Sequence, residues 1–168
     1  MARHFVIMGV AGCGKTSVGE GLSQLTGTRF IDGDALHPKA NVDKMSAGTP
    51  LTDEDRWPWL EAIGRQFGSS AEPLIIGCSA LKRSYRDRIR HHCGGAVTFI
   101  HLTGSRDVIS RRMQQRKNHF MPLTLLDSQF AALEPPATDE ASISIDIDQP
   151  LKAIIAAAAR HSGGHQFD

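Results

Sequence analysis

Residues 9–16 read GVAGCGKT, so Lys15 and Thr16 close a run in which Gly9, Gly12 and Gly14 are spaced by Val10, Ala11 and Cys13. The glycines free the backbone to turn sharply and to present N–H groups inward with no Cβ in the way. Ahead of a helix, such a loop holds a polyphosphate on the helix N-terminus. Lys15 is then the point charge on the β- and γ-phosphates, and the Thr16 hydroxyl, followed by Ser17, is a ligand for Mg²⁺. Asp32 and Asp34 flank Gly33 a short strand later. One carboxylate, Asp32, is suited to Mg²⁺ and its waters, and the other, Asp34, to accepting a proton from a substrate hydroxyl or orienting it. A plain surface turn would use the same DGD chemistry.

Three further groups carry charge at helical spacing. His37, Asn41 and Lys44 recur at i, i+4 and i+7, a face for a polyol or acid, or for water. Ser79, Lys82 and Arg86 recur at three and four residues, placing a hydroxyl and two cations on one stripe suited to an anion, or to solvent. The basic segment SRRMQQRKNHFMP, residues 110–122, reads as part of a mobile lid over about 112–124. Arg112 and Arg116 are one turn apart there, so one can stack on adenine while the other reaches the phosphates. Arg111 points elsewhere.

Behind these residues, short apolar runs alternate with helical patterns. Strands are expected at 5–8, 29–31, 73–78, 97–102 and 143–147, and helices at 15–25, 38–46, 53–68, 81–91, 105–116, 122–132 and 150–160. This βαβα rhythm predicts an α/β fold with a parallel sheet, helices on both faces and ligands at the carboxyl ends of the strands. Thr52 and Asp55 form a capping box for the 53–68 helix, and Pro58 is expected to kink that helix or reset its start. A length of 168 residues predicts one domain, with a frayed tail over 161–168.

Nineteen basic against 18 acidic residues leave a net charge of +1, which gives no global field for nucleic acid or an anionic membrane. A cleaved targeting segment would remove a site that begins at residue 9, and the apolar run Ile154–Ala159 is far short of the ~20 residues that span a bilayer, so a cytoplasmic protein is expected. Cys13, Cys78 and Cys93 are odd in number and lack metal spacing. Cys13 reads as an inert small residue, or as a thiol acidified by the helix terminus. No N-K-x-D or D-x-x-G string marks a GTPase, and the strand in LIIGCSALK ends without the carboxylate of an ATPase machine. Small-molecule kinases remain.

The strings MGVAGCGKT, FIDGDALHPKANVDKMSAGTPLTDEDRWPWL, CSALKRSYRDRIR, RKNHFMPLTLLDSQFAALEPP and IDIDQPL together resemble the P-loop gluconokinases, relatives of shikimate kinase, over nearly the whole chain. DGD-x-x-HP with N-x-x-KM, and CSALK-x-x-YRD, are far more restrictive than the phosphate loop. CSAL, where shikimate kinases carry G-G-G, favours gluconate. The resemblance implies a P-loop NTPase fold with a five-stranded sheet, ATP and Mg²⁺, conversion of D-gluconate to 6-phospho-D-gluconate, and a homodimer. It also implies a nucleotide set of residues 9–17 with Arg112, Gln149 and Pro150, an acceptor set of Asp34, His37, Asn41, Lys44, Ser79, Lys82, Arg86 and His119, and catalysis by Lys15, Asp34 and Arg116. A kinase for shikimate or another small hydroxy acid, and a nucleotide-binding regulator without turnover, are the other readings.

Overall fold

The apolar run that opens the chain becomes the centre of the sheet, because every residue of β1 (His4–Met8) is buried. Its side chains alternate: Phe5 and Ile7 enter one core, Val6 and Met8 the other. A strand buried on both faces requires helices on both, as parallel sheets do. The computed structural model describes residues 3–115 and 123–162. It adds β2 (Arg29–Asp32), β3 (Leu74–Gly77), β4 (Val97–Thr103) and β5 (Ser142–Asp146), all parallel, in the order β2-β3-β1-β4-β5.

The helices are α1 (Lys15–Thr26), α2 (Lys39–Ser46), α3 (Asp53–Gly68), α4 (Arg83–Cys93), α5 (Arg106–Gln115), α6 (Leu123–Ala132) and α7 (Leu151–Ser162). One core gathers Val18 and Leu22 of α1, Ile109 of α5, Leu126 of α6 and Ile154 of α7. The opposite core gathers Trp59, Leu60, Ile63 and Phe67 of α3 with Tyr85 and Ile89 of α4. The five-stranded parallel α/β fold expected from the sequence is therefore present. Helix α7 runs to Ser162, two residues into the segment expected to fray, and residues 163–168 lie outside the described residues.

Thr52 caps α3 with the reciprocal bonds of a capping box to Asp55, as expected. Pro58 does not reset the start of that helix, which runs from Asp53 to Gly68. The ring sits on the exposed side, and Glu54, whose carbonyl loses its partner N–H, is exposed as well, so water can serve it.

Arg86 departs from its expected role. Residues 79–82 are not helical: Lys82 is the extended N-cap of α4, so the stripe Ser79, Lys82, Arg86 does not continue across the helix start. Arg86 is fully buried, and all five of its N–H groups are used. They donate to Glu140 Oε1 (2.7 Å) and Oε2 (3.1 Å) and to the carbonyls of Ala80 (2.8 Å), Leu81 (3.2 Å) and Glu134 (2.9 Å). Arg86 therefore holds residues 134–140 against the end of β3 and has no donor left for a substrate. Burial alone would raise the Glu140 carboxyl, but bonds from Arg86, Arg90 and the Ala137 N–H outweigh it and hold it at about 2.

Arg86→Met takes from that buried carboxylate the guanidinium that bonds both of its oxygens, leaving Arg90 and the Ala137 N–H as its hydrogen-bond partners among the described residues. A loss of about 3 kcal/mol is expected in urea denaturation. In the native protein the folded-state value of Glu140 lies below its ordinary 4.5, so its contribution is complete above about pH 4.5 and fades as pH falls toward 2. Between about pH 4.5 and 2 the variant should lose less stability than the wild type, because its Glu140 no longer keeps so depressed a folded-state value.

Candidate active site

Because all five strands are parallel, their carboxyl ends lie on one edge, and the charged turns collect there. Gly14 caps α1 with φ 95° and ψ 24°, a left-handed turn that L side chains rarely adopt. The Lys15 ammonium folds back to donate to the carbonyls of Gly9 (3.0 Å) and Val10 (3.2 Å), which keeps its charge at the loop. The Gly9 N–H donates to Ser79 O (3.2 Å), joining the loop to the end of β3. Ala80, at φ 47°, turns the chain there. Cys13 is buried, and burial raises its thiol against the weaker pull of Lys15, so it is the inert small residue and not an acidified thiol.

Asp32, the last residue of β2, and Asp34 just beyond it are exposed. Asp32 Oδ1 accepts the Asp34 N–H (3.0 Å) and caps the short 3-10 turn Gly33–Leu36. Gly33 is required, since a Cβ would meet Gly77 O at 2.3 Å. The turn is pinned from α3, where Trp59 Nε1 donates to Gly33 O (2.8 Å). Burial pushes the Cys78 thiol up to about 12, with Ala80 N–H and Lys15 lowering it and Asp34 and Asp32 raising it.

The acceptor set divides. His37 stacks on Trp59 (4.0 Å between ring centres, 16° between planes). Burial lowers its imidazole, Asp34 opposes and Arg56 adds. Asn41 is buried, its amide bonding His37 Nδ1 (3.2 Å) and Asp55 O (2.8 Å). Lys44 is paired with Asp55 at 2.8 Å, and that hydrogen bond, with those of the capping box, holds the Asp55 carboxyl at about 2. Asn41 and Lys44 thus fasten α2 to the start of α3. Lys82 faces Asp53 at 3.3 Å, and both Lys82 and Arg56 lie 5.6 Å from the centre of the Tyr85 ring. Tyr85 donates to Asp53 Oδ1 (2.5 Å), and burial with that bond pushes its phenol up to about 12.

On the other side of the loop a cleft of about 440 Å³ is lined by Gly12, Gly14, Ser17, Arg112, Gln115, Gln149, Pro150 and Leu151. It brings together six members of the nucleotide set from three separate stretches of chain. Arg112 reaches it by donating to the carbonyls of Ile147 and Gln149. Arg116 and His119 lie outside the described residues, as does most of the expected lid. Asp53, Arg56, Trp59 and Gln129 went unread in the sequence. Their only sequence signal is the family resemblance, through DEDRWPW for the first three and LLDSQF for Gln129, whose Oε1 accepts the Ala11 N–H (2.6 Å).

A phosphate loop, an aspartate pair and a cleft at the strand ends of this sheet define a P-loop kinase. A family profile described as an AAA domain matches residues 5–136. The chain is 48% identical to the thermosensitive gluconokinase of Escherichia coli (strain K12), covering 89% of this chain and 81% of that one. The crystal structure of a gluconokinase from Sinorhizobium meliloti 1021 superposes with a TM-score of 0.86 at 48% identity, over 95% of this chain and 93% of that chain. Shikimate kinase from Aquifex aeolicus vf5 superposes at 0.62 with 14% identity over 96% of both, a likeness of fold. The chain belongs to the gluconokinase family.

Trp59→Phe keeps the ring under His37 but removes the side-chain donor that ties Gly33 O to α3. A stability loss of about 1–3 kcal/mol is expected by denaturant titration, with lower turnover as the aspartate turn loosens. Unchanged stability and rate would remove Trp59 from the site.

Proposed function

We propose that this protein transfers the γ-phosphoryl group of ATP to D-gluconate, giving 6-phospho-D-gluconate and ADP. The observation that carries the reading is that the phosphate loop and the aspartate turn meet at the end of β3, through the Gly9 N–H on Ser79 O and Gly33 packed against Gly77 O, in a chain 48% identical to a gluconokinase over most of its length. Asp34 orients the terminal hydroxyl of the sugar acid and takes up its proton. The hydroxyl oxygen forms a bond to the γ-phosphorus, the bond from that phosphorus to the bridging oxygen breaks, and ADP leaves. Lys15 and the loop N–H groups neutralise charge that spreads onto the phosphate oxygens, so catalysis is mainly positioning and electrostatics. Arg116 is assigned to the same charge and His119 to the acceptor, both by resemblance.

Among the described residues no three His, Cys, Asp or Glu cluster as a metal site. That suits Mg²⁺, which binds through one or two protein oxygens and completes its shell with water and phosphate. Thr16 and Asp32 would hold it, and it would supply charge neutralisation. Arg112, Gln149 and Pro150 are assigned to the adenine side of the nucleotide cleft. With Arg86 withdrawn, Lys82 is the expected cation for the acid end of gluconate, and Arg56 beside the same ring is a second. Ser79 and His37 complete the acceptor wall, with Asn41 and Lys44 behind it. Among the described residues no helix is long and apolar enough to cross a membrane. Residence in the cytoplasm and assembly as a homodimer belong to this proposal on family grounds.

A coupled ADP-release assay decides between acceptors: gluconate should support turnover, and shikimate and glucose should not. Turnover with shikimate alone would move the protein to the alternative kinase, and none with any acid would leave a nucleotide-binding regulator. Asp34→Asn should lower kcat about 10²-fold while KM for ATP stays within about twofold. A variant that loses only nucleotide affinity would move Asp34 to the metal and make Asp32 the orienting group.

A further inference from the structure

We infer that Gln129 is a positioning residue for the nucleotide: its carboxamide holds the Ala11 N–H and so sets the phosphate loop in its binding shape before ATP arrives. This rests on the reading of residues 9–16 as the phosphate site. The N–H groups of Gly9 and Cys13 donate to backbone carbonyls, those of Ser79 and Val10. The Ala11 N–H instead donates to a side chain 118 residues away, at 2.6 Å, where both residues are half-buried. A loop whose glycines give it many conformations must have its N–H groups fixed from outside, or binding would have to order them.

Gln129 is placed to do this because α6 is anchored on three sides. Leu126 is buried in the same core as Val10, Cys13 and Ile109, and Phe130 packs against that core. Asp127 pairs with Arg106 at the start of α5. Just past the helix, the Glu134 N–H donates to Leu81 O (2.8 Å) and its side chain accepts the Arg83 N–H (2.8 Å). Helix α6 therefore spans from the phosphate loop to the backbone on both sides of Lys82. A neutral acceptor is also required at this place, since a carboxylate on Ala11 would repel the polyphosphate.

The test uses the full-length protein, with Gln129→Met, which keeps length and helix propensity but cannot accept strongly, and Gln129→Glu, which accepts but adds charge. For Gln129→Met, calorimetry with Mg²⁺ and ADP should show binding weaker by about fivefold to tenfold. The Ala11 amide should exchange faster in the ligand-free protein, while KM for gluconate stays within about twofold. Gln129→Glu should keep Ala11 exchange slow yet weaken ADP, more at low salt than at high. Wild-type ADP affinity or unchanged Ala11 exchange in Gln129→Met overturns the inference. So does tighter ADP binding, which would make the carboxamide a competitor of phosphate. If Gln129→Met does not fold, wild-type ADP affinity of Gln129→Glu at low salt overturns it alone. The ADP and exchange measurements contain no acceptor, so they stand whether or not gluconate is the substrate.

Discussion

Turning the chain from β1 into α1 within six residues is the constraint on which the rest of the structure depends. The left-handed turn at Gly14 makes this sterically possible, but it also makes the loop entropically costly to fix. Neighbours from distant parts of the chain supply the fixing. Cys13 and Val10 plug into the core below, Ser79 holds Gly9 from the end of β3, and Gln129 holds Ala11 from α6. The central place of β1 in the sheet follows from the same need, since a loop at the middle of the sheet has rigid elements on either side to lean on.

The acceptor side follows a different logic, in which polar side chains spend their hydrogen bonds on one another. Asn41 and Lys44 both go to Asp55, and Asp55 also completes the cap of α3. Trp59, one turn further along, then grips Gly33 and carries His37 on its face. A cap that looks like a local stabilising device is therefore the base of a chain of contacts leading to Asp34. Disturbing Asp55 would reach the aspartate turn through α3.

What could be read from the sequence was whatever is decided locally. The phosphate loop, the DGD turn, the Thr52–Asp55 cap and the five strands depend on residues within one element or its immediate flank, and the structure contains them. Boundaries moved by at most two residues, and the 53–68 helix kept both of its ends. Arg112 was read toward the nucleotide from its basic segment, but Gln149 joined the same cleft only through family resemblance, because nothing in spacing joins residues that far apart. Gln129 lay within a string that carries the resemblance, but its role could not be read there, since nothing in spacing joins it to Ala11.

Arg86 shows most plainly where periodicity misleads. The i, i+3, i+4 rule assumes that the helix has already begun, and at Ser79 it has not: the chain turns through the left-handed Ala80 and caps at Lys82 before α4 starts. Two cations that would share a stripe are thus sent to opposite environments. Lys82, still outside the helix, projects to Asp53 and the Tyr85 ring, half-exposed, as a flexible ammonium on four carbons can. Arg86, one turn in, enters the core, where a lysine would leave the carbonyls of Ala80, Leu81 and Glu134 unserved. Only the planar guanidinium has the five donors this pocket uses. The buried arginine thereby fixes the turn that keeps Lys82 at the surface, so the cation removed from the acceptor set is what places the one that stays in it.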